Sequence, residues 1–315
     1  MKMNSFSLKM NDGCEIFLNR WEPDTPEDIK GVVQLHHGLA EHSMRYDRLG
    51  SVLAENGYVL NAYDMRGHGK TAETAIAKGE GRFGQLARKN GFETAVEDLA
   101  FIIESLKKDF PDKKIVLLGH SFGSFISQRY IEKYGTKIDG CILCGTSGPQ
   151  IPLAPAGKIV AKIVRAFKGP DATSKFLTKL TFGSYNKHIP NPQTADDWIS
   201  LNELNRQIYA MDKWCGFPLT VSFFVDITTA LSTIHKKKNM KAVPAELPVF
   251  FIYGKEDPVG GYGKTIEKLY DIYQKNGVKN LQIKGYENDR HEIFNEDDKE
   301  TVEKDVLQWL SDVLK

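Results

Sequence analysis

The sequence predicts an α/β fold: a mainly parallel sheet covered by helices on both faces, with a helical cap inserted into it. Three observations lead there. Apolar runs of strand length alternate with segments of helical spacing along most of the chain. Most of those runs, such as "KKIVLLG" and "ELPVFFIYG", are continuously apolar, as strands buried on both faces are. From about Pro149 to Pro244 the rhythm stops, leaving helical stretches punctuated by Gly and Pro.

The elements follow in order. "SFSLKM" and "CEIFLNRWEP" flank Asn11-Asp12-Gly13, a hairpin-turn signal, so an antiparallel hairpin opens the sheet. "GVVQLHHG" is a short strand running into glycine. Tyr46, Leu49, Val52 and Leu53 give residues 45–56 helical spacing, and "GYVLNAYD" reads as the next strand. Phe92, Val96, Leu99, Ile102, Ile103 and Leu106 share one face of a helix over about 92–109, which Pro111 closes. "KKIVLLG", a helix over 121–134 and "IDGCILCGT" come next. After the interruption, "ELPVFFIYG", "YGKTIEKLYDIYQK", "VKNLQIKG" and "KETVEKDVLQWLSDVL" give strand, helix, strand, helix. An excursion of about 95 residues is too long for a structureless loop. The chain therefore divides into a core of residues 1–148 and 245–315 and a helical cap of residues 149–244.

Totals narrow the function classes. At 315 residues the chain can bury a large core, and 41% hydrophobic with 26% charged residues is ordinary for a soluble globular protein. Lys+Arg 42 against Asp+Glu 41 steers nothing towards nucleic acid. "MKMNSFSLKMNDGCEIFL" lacks the apolar core of a signal peptide, and no stretch approaches the roughly 18 apolar residues of a membrane helix. The expected location is cytoplasmic. Four irregularly spaced cysteines make no disulfide framework. Cys141 and Cys144 form a C-x-x-C, but inside an apolar run with no helix start, so they read as plain strand cysteines.

Chemistry concentrates at "IVLLGHSFGS". A strand, a tight Gly-x-Ser-x-Gly turn and a helix make a nucleophile elbow, whose sharpness calls for glycine at 119 and 123. Ser121 then stands at the carboxyl end of a strand and at a helix N-terminus that favours developing negative charge. A serine hydroxyl needs a base, and in this architecture the acid and then the histidine follow in the chain. Of the three histidines beyond Ser121, His188 and His235 fall in the cap, and only His291, in "YENDRHEIF", follows the last strand. "LPVFFIYGKEDPVG" offers Glu256 and Asp257 for the acid. Asp257 is favoured because Pro258 keeps it extended. His291 would be the general base, with Asp257 fixing its tautomer. Asp289 and Glu292 are expected to be solvated loop charges. The backbone N–H groups of Phe122 and Leu39, the latter beside Gly38, would form the oxyanion hole. His36 and His37 point to opposite strand faces without carboxylate spacing around them, so no metal or other cofactor is expected.

The stretches "HHGLAEHSMRYDRL", "YDMRGHGKT", "GHSFGS", "GKEDPVG" and "DRHEIFNE" together resemble the monoacylglycerol lipase and lysophospholipase branch of the α/β-hydrolases, the serine aminopeptidase S33-like group. The resemblance implies an α/β-hydrolase fold, Ser121, Asp257 and His291 as the triad, and Leu39 and Phe122 as the oxyanion hole. It also implies that Asp64, Arg66 and His68 brace a loop behind the site. A serine hydrolase cleaving carboxylic esters of lipid-like substrates through an acyl-enzyme is the expected activity. Ile159, Ile163, Phe167, Phe176, Leu177, Phe182, Trp198, Trp214, Phe217, Phe223 and Phe224 are available in the cap to line an acyl pocket or to form the cap's own core. An aminopeptidase or amidase would instead need a cap carboxylate such as Asp196, Asp197 or Glu203 for a substrate ammonium. A binding protein on this scaffold would normally have lost a triad member. The basic run "HKKKNMK" at 235–241 is a candidate for peripheral membrane contact or a solvated helix end.

Overall fold

The computed structural model describes residues 1–149 and 153–315. The strands are β1 (Lys2–Lys9), β2 (Glu15–Glu22), β3 (Gly31–His36), β4 (Tyr58–Tyr63), β5 (Ile115–His120), β6 (Gly140–Cys144), β7 (Val249–Gly254) and β8 (Leu281–Tyr286). They form one sheet in the order β1-β2-β4-β3-β5-β6-β7-β8. The β1–β2 and β2–β4 pairs are antiparallel and every later pair is parallel. The hairpin turns at Gly13, whose φ of 89° a side-chain-bearing residue rarely adopts.

Helices α1 (Asp47–Glu55), α2 (Gly69–Ala77), α3 (Gly91–Asp109) and α4 (Phe122–Tyr134) connect the first six strands. Past β7, α10 (Lys264–Lys275) leads to β8, and α11 (Lys299–Val313) ends the chain. Helix α2 was not expected from the sequence. Its "GKTAETAIA" has little apolar periodicity, and it forms where Asp64 accepts from the Lys70 amide at its start.

The apolar runs of the central strands follow from burial on both sides. Leu117 shares one core with Leu99 of α3, Ile126 of α4 and Leu269 of α10. Val116 and Leu118 pack on the opposite face with Leu53, Val306 and Trp309 of α1 and α11. Each such side chain contributes about 1.5–3 kcal/mol relative to exposure. Cys141 and Cys144 point to opposite faces of this sheet, in separate cores, and are unpaired thiols.

Between β6 and β7 the described residues contain helices, 3-10 turns and one isolated bridge, Thr173 to Thr220. The helices are α5 (Leu153–Lys168), α6 (Lys175–Phe182), α7 (Glu203–Met211), α8 (Val221–Ile234) and the short α9 (Lys237–Met240). The expected start of the cap at Pro149 runs into residues outside the described part. Helix α8 is the one that seats this segment on the core: Phe223 and Phe224 are buried, and Phe223 lies against Phe122.

Candidate active site

Four loops at the carboxyl ends of parallel strands meet here: Leu39 after β3, Ser121 after β5, Asp257 after β7 and His291 after β8. Ser121 has φ 53° and ψ −122°, a left-handed conformation that costs a non-glycine residue about 1–3 kcal/mol. The flanking glycines are required, though not because they would meet only each other. A Cβ at Gly123 would lie 2.2 Å from the His36 carbonyl oxygen, and one at Gly119 would lie 2.2 Å from Ser127 Oγ and 2.6 Å from the Gly123 carbonyl. The turn is tight because β3 and α4 press on it.

Asp257 and His291 are in direct contact. His291 Nδ1 lies 2.9 Å from Asp257 Oδ2, and Asp257 Oδ1 accepts from the Val259 amide at 2.8 Å. A buried carboxylate facing Nδ1 fixes the proton there and leaves Nε2 with its lone pair. That Nε2 is buried and makes no hydrogen bond. No hydrogen bond joins it to Ser121, so the direct contact recorded here is the one between Asp257 and His291. Glu256, the other acid considered, lies near Arg290.

Ser121, Leu39 and Phe122 line one small chamber of about 70 Å³ with Phe182, Trp198 and Tyr185. Trp198 also packs on the His291 ring, with centroids 5.0 Å apart. Two larger cavities adjoin this chamber. One, of about 460 Å³, runs between α5, α6 and α8 and shares Thr181, Tyr185, Ile227 and Leu231 with it. The other, of about 530 Å³, shares Leu39, Phe182 and Trp198 and is bordered by Phe217 and Asp196. Of the apolar cap residues, Leu177 and Phe224 line the first cavity, whereas Ile159, Ile163, Phe167 and Phe176 face solvent. A third cavity of about 640 Å³ lies elsewhere, around Arg66 and Arg88; its cations are matched by Asp12, Asp98, Glu15 and Asp171.

Glu292 and Asp289 are buried, which corrects the expectation of solvated loop charges. Glu292 is held by Arg45 and by Asn205 Nδ2 at 2.7 Å. Arg45 also donates to Glu41, 3.3 Å away. Glu41 was not anticipated from the sequence. The signal was available: a carboxylate and a guanidinium one helical turn apart, beside the oxyanion loop. Asp64 accepts from Ser43 and Lys70, Arg66 pairs with Asp12 and Asp98, and His68 contacts the Arg66 carbonyl, so this turn makes bracing contacts. The segment between β6 and β7 clasps the loop after β3: Tyr209 OH and the Gly216 amide both donate to the Ala40 carbonyl. Beside that clasp, potential ligand atoms of His42, Asp212 and Cys215 lie within 4.8 Å of one another, a set not anticipated from the sequence. His42 Nε2 is engaged by Asp212 at 2.8 Å, and burial pushes the Cys215 thiol well above its usual range.

The model of a family described as serine aminopeptidase, S33, matches residues 27–298. The chain belongs to that family of α/β-hydrolases. The monoacylglycerol lipase of Mycolicibacterium smegmatis is 26% identical over 301 residues, covering 95% of this chain and 93% of that protein. The mouse monoglyceride lipase is 25% identical over 305 residues, covering 95% and 88%. A thermostable carboxyl esterase from Bacillus coagulans, solved with glycerol, superposes with a TM-score of 0.88 at 28% identity over the whole of both chains. With the family model, these lipase and esterase relatives support the monoacylglycerol lipase branch of the α/β-hydrolases.

Proposed function

We propose that the protein is a serine hydrolase that cleaves carboxylic esters of lipid-like substrates, of the monoacylglycerol or lysophospholipid type, through an acyl-enzyme. The observation that carries this reading is a strained Ser121 on the wall of a chamber flanked by two large cavities, with the Asp257–His291 pair behind it. His291 Nε2 takes the Ser121 proton as Oγ attacks the ester carbonyl. The carbonyl oxygen gains charge facing the Leu39 and Phe122 amides. The imidazolium, stabilised by Asp257, returns the proton to the departing alcohol, and water repeats the cycle on the acyl-enzyme. Residues 149–244 act as a cap, and its apolar cavity between α5 and α8 takes the acyl chain. The chain works in the cytoplasm, where its four unpaired cysteines are at home, and meets its substrate at a membrane surface.

The deciding experiment is turnover of 4-nitrophenyl esters from acetyl to palmitoyl beside an amino-acid anilide, with Ser121→Ala as control. Ester turnover with a medium- or long-chain optimum, lost in the control, is expected. Preferential anilide cleavage would replace this reading with an aminopeptidase, for which Asp196, at the edge of the second cavity, is placed to meet an ammonium group.

A further inference from the structure

His120 stands next to Ser121 and is buried, and both of its ring nitrogens face acceptors. Nδ1 lies 3.0 Å from Glu41 Oε1, and Nε2 lies 3.2 Å from the carbonyl oxygen of His291. A carbonyl oxygen can only accept, so Nε2 carries a proton. Glu41 is already an acceptor on both oxygens: Oε1 takes the Gly38 amide at 2.5 Å and the Tyr46 hydroxyl at 3.0 Å, and Oε2 takes Arg45. With these donors converging on it the ionised form is favoured, and Nδ1 then carries the second proton.

Charge counting reaches the same state independently. Glu41, Glu292 and Arg45 form one buried connected set with His120. Two carboxylates against one guanidinium leave a buried negative charge, which is costly unless matched. An imidazolium at His120 makes the set neutral. The titration directions agree. Burial disfavours charge on His120, but the hydrogen bond and charge of Glu41 outweigh it and leave its affinity for the proton raised. Burial opposes charge on Glu41 too, and His120 with Arg45 overrides it.

We infer that Glu41 and a standing His120 imidazolium are a positioning pair that locks the oxyanion loop to the loop carrying the general base. Glu41 holds the amide of Gly38, next to Leu39. His120 holds the backbone of His291, and its ring lies 4.7 Å from the His291 ring. Neither residue touches the reacting atoms. Their effect is to fix the distance between groups that must act on one carbonyl, where a displacement of about 1 Å costs on the order of 100-fold in rate. This rests on Ser121 and His291 being the working pair.

The test joins a spectrum to kinetics. Nitrogen NMR of His120 in the resting wild-type protein should show both ring nitrogens protonated at pH 7; a neutral ring at pH 7 overturns the inference. That measurement needs no substrate, so it stands or falls apart from the ester-hydrolase reading. In Glu41→Gln the second proton should be lost at lower pH than in the wild type, because burial is then opposed by less. The rate of fluorophosphonate labelling of Ser121, and kcat on any turned-over ester, should fall about 10- to 100-fold with KM nearly unchanged. The double variant Glu41→Gln/His120→Gln should lose no more than the worse single one, because the two act as a unit. Additive losses, or labelling unchanged in a folded Glu41→Gln protein, would also overturn it.

Discussion

At the residue scale, division of labour around Ser121 sets the size of each effect. On the proposed mechanism, Ser121→Ala removes the attacking oxygen and should lower kcat by about 10⁴–10⁶, leaving only what binding and the Leu39 and Phe122 amides supply. Asp257→Asn presents an amide where His291 Nδ1 needs an acceptor. The imidazole is then driven to the wrong tautomer, and kcat should fall by about 10⁴ with the fold intact, which circular dichroism and steady-state kinetics together would check. These residues were the most legible ones. Ser121 and His291 follow from local turn chemistry and from chain order, both one-dimensional facts. Glu41 and Glu292 were not assigned to the site, because their meaning is contact across the fold. Glu41 and His120 lie 79 positions apart and Arg45 and Glu292 lie 247 apart, and a charge in a loop looks solvated until its partner is known.

At the element scale, legibility depended on whether an element's reason for existing is local. Strands β5 and β7 are apolar throughout because both faces are covered, and they read directly. Helix α2 was missed because its start is set by Asp64 from the preceding loop. The seat of α8 on α3 was invisible for the same reason. Asp226 of α8 points its carboxylate at the amides of Gly91 and Phe92 at the start of α3, and one of its oxygens is buried without a partner. Burial raises this carboxyl to about 7, against the lowering effect of those amides. The folded state thus prefers the protonated form. Stability is greatest below the unfolded value near 3.8 and declines as pH rises to about 7, beyond which the loss is constant. Asp226→Asn removes the titration. It should raise Tm at pH 8 by several degrees, about 2–4 °C for each kcal/mol in a chain of this size, and change it little at pH 4. A wild-type and variant pair of melting curves at the two pH values would check this; equal shifts at both would show that the charge is not the cause.

At the scale of the whole molecule, one surface of the cap segment is out of keeping with the rest. Ile159, Ile163 and Phe167 of α5 and Phe176 and Leu180 of α6 are 52–88% exposed, and Leu180 also lines the 460 Å³ cavity. Lys158, Lys162 and Lys168 alternate with the apolar residues of α5, and none pairs with an acidic group among the described residues. The basic run considered from the sequence joins the same face, since Lys158 feels the charges of both Lys162 and Lys236. Among the described residues no helix is long and apolar enough to cross a membrane. Apolar side chains ringed by unpaired lysines suit shallow contact with an anionic lipid surface, each lysine contributing about 1 kcal/mol. The two parts separate experimentally. Replacing Lys236, Lys237 and Lys238 by Gln should weaken sedimentation with anionic vesicles and leave turnover of a soluble short-chain ester unchanged. Ile163→Asp/Phe167→Asp should weaken binding further and lower turnover only of vesicle-borne ester. Equal binding to anionic and zwitterionic vesicles would remove the electrostatic half of the argument. Unchanged binding in both variants would remove the surface altogether, leaving the cavity between α5 and α8 as a route for substrate already in solution.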